Sequence, residues 1–298
     1  MKQGCGLCNS NDLEMLYAPG MAKQPLAGEP DCAPTAADFG IFYPLAKCRS
    51  CDAVFSLTEG KDYQRFYSSA KDSAYLSQQD SRNKTFKRVI RDIKNFLPAR
   101  PRLLDVGCSY GLFLRLARDC GMEAWGVELS EDASRYCRER LGLAVFCSDM
   151  QEADLPKDYF DIVTATEVIE HSADPAAFIN RTRELLKDGG ILYLATPDRR
   201  SLSAKIMKSR WWSYRRMHLF YLSRKSIYAL LEKNGFSVIK SFPYKKTLAL
   251  GYIISQAFRS RANKFACRLL LKAGEYLHLD RIMVTASFGD IAVLARKA

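Results

Sequence analysis

The chain has 298 residues, 48% of them hydrophobic, and no low-complexity tract, which excludes a disordered chain and suits one large domain plus a small appendage. A formal charge of +12 fits an anionic partner (nucleic acid, a membrane surface or a phosphorylated substrate) as well as an ordinary basic surface. No apolar run approaches the ~18 residues of a membrane span and Met1–Gly6 lacks a signal-peptide core, so a cytoplasmic location with reduced thiols is expected.

In chain order, residues 1–57 are rich in Cys, Pro and Gly and read as a small metal-held module. Cys5-x-x-Cys8 and Cys48-x-x-Cys51 are separated by 39 residues and fit two knuckles of a four-thiolate tetrahedral Zn2+ site. All four positions of such a site are filled, which makes it structural. Cys32 lies in the connector as a substitute ligand. A redox pair is the weaker reading, because no βαβ pattern surrounds either motif.

Residues 58–81 read as a polar connector. Arg82–Leu97 places Phe86, Val89, Ile90, Ile93 and Leu97 on one helical face, ended by Pro98 and Pro101. Strands near 102–107, 123–128, 143–147, 160–166 and 190–196 then alternate with helices near 111–121, 130–141, 175–187 and 224–234. This alternation predicts a mainly parallel α/β sheet. Phe236–Phe242 and Asp290–Arg296 are further strands, and 252–277 between them is helical in character.

Leu103–Leu114 runs from an apolar strand through a glycine turn into an apolar helix, the layout of a nucleotide-binding βα turn. The same letters satisfy Gly-x-Ser-x-Gly, the elbow of a serine hydrolase, with Ser109 as nucleophile. Asp105, Gly107 and Gly111 shape a pocket at the strand end. Glu128 closes the next strand 21 residues after Gly107, the spacing of an acid that accepts from ribose hydroxyls. Asp149 and Met150 follow the third strand, where a carboxylate and an apolar side chain suit an adenine. These acids have no role in a hydrolase.

The blocks LLDVGCSYGLFL, GVELS, FDIVTATEVIEH, LLKDGGILYLATP and HLFYLSRKSIYALLEKNGF, in that order, resemble class I S-adenosylmethionine-dependent methyltransferases over about 82–242. Ser109 stands where the commonest form of the turn has its middle glycine. The resemblance implies a Rossmann-like seven-stranded sheet with its last strand antiparallel, behind the N-terminal zinc module. It assigns Asp105, Gly107 and Gly111, with Cys108 between them, to the methionine part of S-adenosyl-L-methionine. Glu128, with Leu129 beside it, falls to the ribose, Asp149 and Met150 to the adenine, and Thr166 to the mouth. It also implies a catalytic domain over 82–298, with inserts near 197–222 and 243–289.

Methyl transfer needs alignment and, for a protonated nucleophile, a base. His171, His218 and Tyr221 are the candidates. Glu167, Glu170 and His171 also resemble the Glu-x-x-Glu-His segment that binds a divalent metal such as Mg2+ in ubiquinone-type O-methyltransferases and small-RNA 3′-end methyltransferases.

Arg199–His218 holds seven Lys/Arg and no acid, interleaved with Trp211, Trp212 and Tyr214. That composition suits single-stranded RNA, a sugar-nucleotide pyrophosphate or an anionic lipid surface. The preferred reading is O- or C-methylation of a small or sugar-linked, anionic acceptor. An RNA methyltransferase, peripheral membrane contact and a non-catalytic binding protein with this fold are the alternatives.

Overall fold

A computed structural model describes residues 4–18, 42–58, 67–259, 279 and 281–298. Cys32, His278 and the helical stretch beyond Arg259 lie outside the described residues. No helix among the described residues is long and apolar enough to cross a membrane.

The main sheet has seven strands: β4 (Arg102–Val106), β5 (Glu123–Glu128), β6 (Ala144–Cys147), β7 (Phe160–Thr166), β8 (Leu186–Pro197), β10 (Phe236–Ala249) and β11 (Met283–Lys297). Their spatial order is β10-β11-β8-β7-β4-β5-β6. β8, β7, β4, β5 and β6 are mutually parallel, and β11 runs antiparallel to both of its neighbours. The expected Rossmann-like sheet with an antiparallel last strand is therefore present. The order reverses at β4, so the ligand crevice of such a sheet opens above the carboxyl ends of β4, β5 and β7.

The helices start where the sequence carries caps. Ser130 accepts from the Ala133 N–H ahead of a helix over Glu131–Leu141, and Asp174 accepts from Ala176 and Ala177 ahead of Pro175–Leu185. The helix expected over Arg82–Leu97 is observed over Gln79–Ile93, finishing in a single tight turn, Lys94–Phe96, before Pro98.

β10 and β11 run well past the predicted 236–242 and 290–296, so both ends of the expected 243–289 insert form a two-stranded arm. Its alternation is masked by Pro243 and the lysines that follow, and a register shift of the kind a β-bulge makes falls between Tyr244 and Lys245. A helix over Leu250–Arg259 continues from it.

A second, small sheet holds β1 (Leu13–Tyr17), β2 (Leu45–Cys48), β3 (Val54–Ser56) and β9 (Phe220–Tyr221) in that order. Three strands come from the Cys-rich segment, and the fourth comes from the block after His218, pairing Val54 with Tyr221 and Phe55 with Phe220. Phe42, Leu45 and Val54 share a core with Trp211, Tyr214 and Tyr221. Trp211 is 0% exposed and Tyr214 6%. The RNA reading of this insert loses two of its three aromatic residues: both rings fasten the insert to the N-terminal sheet and offer no face to a base. Trp212 alone of the three reaches the central cavity.

Candidate active site

A cavity of 1510 Å³ lies above the carboxyl ends of the central strands. It has two ends. One is walled by the turns after β4, β5 and β6, the other by the segment after β7, the insert 198–222 and the β10–β11 arm.

At the first end, Gly107 has φ +69°, and a Cβ there would meet Val168 Cγ2 at 2.7 Å. Only glycine leaves that space open without strain. Ser109 also adopts positive φ, +49°, which accounts for the glycine common at this place in the motif. Its N–H donates to Glu128 Oε2 at 2.8 Å, while Ser130 N–H donates to Oε1 at 2.8 Å. Glu128 thus pins the turn into shape as well as facing the cavity. Burial pushes its carboxyl up against those two hydrogen bonds.

Asp105 is buried, which raises its pKa to about 7 although Thr164 Oγ1 donates to it at 2.6 Å. Cys108, Leu129, Asp149, Met150 and Thr166 also line the cavity. Gly111 does not: it sits behind the turn with φ +69°, caps the helix Leu112–Asp119, and makes room for Cys137 and Leu143. Ser109 lines the same cavity, with its N–H held by Glu128.

At the other end, His171 Nδ1 lies 2.8 Å from the Met217 carbonyl oxygen and 2.9 Å from the Tyr67 hydroxyl. A carbonyl only accepts, so Nδ1 carries the proton and Nε2 is the basic nitrogen. His218 packs edge-on against His171 with centroids 4.7 Å apart. Burial, with the neighbouring His171, holds the His218 pKa well below the ordinary value, so this imidazole is neutral. Tyr221 does not line the cavity. It is buried in the small sheet, and its hydroxyl donates to the Arg215 carbonyl at 3.0 Å.

Glu167, Glu170 and His171 do not converge as one ligand set. Glu167 turns aside at φ +59° and pairs with Lys246, whose ammonium also lies 3.0 Å from Asp290. Desolvation works to raise Glu167 and Lys246 outweighs it, holding that carboxyl below the usual range. Glu170, His171 and His218 instead offer ligand atoms within 4.8 Å of one another. Glu170 accepts from Thr196 at 2.9 Å, its other oxygen has no hydrogen-bond partner, and burial and the charge of Glu167 raise its pKa to about 8.

Tyr67, Lys246 and Asp290 escape sequence reasoning. No motif marks them, and only the fold brings positions so far apart in the chain to one wall.

The four cysteines Cys5, Cys8, Cys48 and Cys51 gather with their sulfurs within 4.8 Å of one another. Cys5 and Cys51 are 3.6 Å apart, and Cys8 and Cys48 are 3.5 Å apart. A tetrahedron with metal–sulfur bonds of about 2.3 Å has sulfur–sulfur edges of about 3.8 Å, so the donor set fits zinc. The hydrogen bond from Cys51 pushes the Cys5 thiol down to about 5 and Cys51 up.

The sequence model of a family described as "Methyltransferase domain" matches residues 78–241. A "Ubiquinone biosynthesis O-methyltransferase" of Cereibacter sphaeroides is 31% identical over 158 residues, which cover 49% of this chain and 64% of that protein. A protein of the same name from Methylococcus capsulatus is 35% identical over 113 residues, covering 36% of this chain and 47% of its own. The matches thus span less than two thirds of these relatives. Among solved structures, the [4+2]-cyclase SpnF superposes with a TM-score of 0.51 at 20% identity, covering 72% of this chain and 81% of that one, a likeness of fold alone. With that sheet order and a family match spanning β4 to β7 and beyond, the chain belongs to the class I S-adenosylmethionine-dependent methyltransferase family.

Proposed function

We propose that this protein transfers a methyl group from S-adenosylmethionine to a hydroxyl oxygen of a small acceptor, with His171 as general base. S-adenosylmethionine, when bound, supplies a methyl carbon made electrophilic by its sulfonium. Asp105 and the Gly107 turn would hold its methionine part, Glu128 its ribose, and Asp149 with Met150 its adenine. The open space at Gly107 and the carboxylate at the end of each successive strand support that fit.

His171 carries the reading. Its Nδ1–H is spent on the Met217 carbonyl, so Nε2 can take the acceptor's proton as the oxygen–carbon bond forms and the carbon–sulfur bond breaks. Replacing His171 with Ala should lower turnover by roughly 10²–10⁴ and leave cofactor affinity unchanged. An unchanged turnover number would remove it as the base.

O-methylation of a small acceptor is supported by the printed names of the relatives. An anionic acceptor is supported by Arg210 and Arg215 on the cavity wall. A divalent cation at Glu170, His171 and His218 is a second reading, favoured by the unpartnered buried atoms Glu170 Oε1 and His218 Nδ1. Chelation that abolishes turnover, reversed by added metal, would select it.

Residues 1–57 are a structural zinc module, 58–81 a connector and 82–298 the catalytic domain in this reading. The cysteine geometry supports the first of these. Stoichiometric zinc in the purified protein is expected, and its absence would sink the assignment.

A further inference from the structure

Asp52 directly follows the second cysteine knuckle. It sits at φ +64°, with its N–H donating to the Cys48 carbonyl at 3.0 Å. The turn that presents Cys48 and Cys51 therefore also sets the direction of the Asp52 carboxylate. That carboxylate is 5% exposed and holds two guanidinium groups. Arg199 Nη1 lies 3.1 Å from Oδ2, and Arg200 reaches Oδ2 through Nε at 2.8 Å and Oδ1 through Nη2 at 3.2 Å.

The two arginines stand at the root of the insert that carries Arg210, Trp212 and Arg215 to the cavity. The root is closed by the Arg199 N–H donating to Leu222 O at 2.9 Å. A second line runs in parallel: Ser56 N–H donates to Leu219 O at 2.8 Å, and Leu219 N–H donates to Glu170 O at 2.7 Å, beside His171. Both lines lead from the knuckle to the acceptor end. The cofactor end is tied by its own bonds, Ser109 to Glu128 and Thr164 to Asp105.

The geometry points to Asp52 as a positioning residue that transmits the shape of the four-cysteine knuckle to the acceptor wall, leaving the cofactor wall independent of it. The name of that wall rests on the methyl-transfer reading; the mechanical link does not. One buried carboxylate balances two cations, of which Arg199 is only 12% exposed. Removing its charge takes away the hydrogen-bonded counter-ion of both guanidinium groups and leaves them only the longer-range charge of Asp198.

Asp52→Asn is the clean test, because Asn tolerates positive φ and keeps the shape. The chain has three tryptophans, so in a Trp125→Phe background the emission comes from Trp211 and Trp212 of the insert. Asp52→Asn should red-shift that emission and raise acrylamide quenching about threefold, while S-adenosylmethionine affinity measured by calorimetry stays within twofold. With ¹⁵N-labelled histidine, the His171 ring should pass from the Nδ1–H tautomer to an exchanging average. Stripping the metal with a mercurial and a chelator should reproduce these changes, and added Zn2+ should reverse them.

Unchanged emission and ring signals in Asp52→Asn would overturn the proposal, as would a tenfold fall in cofactor affinity in step with them. A purified protein without zinc would refute the metal assignment while leaving the Asp52→Asn comparison decisive. A chain that binds no S-adenosylmethionine would refute the methyl-transfer reading, with the fluorescence and histidine signals still deciding the link.

Discussion

The two ends of the cavity are built on different principles. The cofactor end uses the turns after three consecutive strands, Asp105–Tyr110, Glu128–Ser130 and Ser148–Met150, each short and local. The acceptor end gathers Tyr67, Glu167–His171, the insert 198–222, Lys246 and Asp290 from remote parts of the chain. In the methyl-transfer reading proposed above, donor recognition would be a repeated local device, and acceptor recognition a tertiary product free to change without disturbing the donor site.

The sharpest way to break this comparison is His171→Ala, whose expected 10²–10⁴ loss of turnover should fall on the chemical step alone. Next is Gly107→Ala. A Cβ at φ +69° with Val168 Cγ2 2.7 Å away carries strain of about 1–3 kcal/mol. Cofactor affinity should fall roughly tenfold or more. Calorimetry should show that loss, and unchanged affinity would remove the Gly107 turn from the cofactor site. Val168 accepts from the His171 N–H, so the His171 ring signals of this variant report how far the displaced Val168 carries the strain.

Acidity separates the two ends more gently. Asp105 and Glu170 have folded pKa values of about 7 and about 8, both above their unfolded values of 3.8 and 4.5. Over that window these two carboxyls hold protons in the folded state that the unfolded state has released, so their contribution to stability falls as pH rises toward 8, against the opposite contribution of His218. The test is therefore the difference between variant and parent urea midpoints from pH 5 to 8. Relative to the parent, Asp105→Asn should gain stability as pH rises through about 7 and Glu170→Gln as it rises through about 8. A difference that does not change with pH would show that these carboxyls are not the protonated groups.

The smallest effect is expected from Lys246→Met. It leaves Glu167, 45% exposed, and Asp290, 3% exposed, without their shared cation; burial already raises the Asp290 carboxyl, which takes up a proton in place of the cation, so the cost should be about 1–2 kcal/mol. A denaturant midpoint shift with cofactor affinity unchanged would place it on the acceptor side.

The donor end was largely legible because strand alternation, the glycine turn and strand-end acids are short-range patterns. Gly111 is the exception there: its glycine serves helix packing behind the turn and touches no cavity. The acceptor end was legible only in part. His171 and His218 stand out because the chain has three histidines. Lys246 and Asp290 carry no local signal, and Tyr221 shares its block with His218 yet points into the other sheet. Trp211 and Tyr214 misled for a physical reason. In a short insert without regular periodicity, arginine and aromatic spacing does not reveal which face is buried, and here the aromatic rings face the N-terminal core.

The pairing of β3 with β9 joins Val54 to Tyr221, 167 positions later in the chain. On a ribosome adding about 5–20 residues per second, the exposed edge of β3 would wait on the order of 8–33 s for its partner strand to be made. During that interval Val54 and Phe55, both 0% exposed in the finished fold, have no cover from β9. The small sheet is begun before the main sheet is made and is completed only when β9 arrives. A chain interrupted before residue 220 would present an open apolar strand edge.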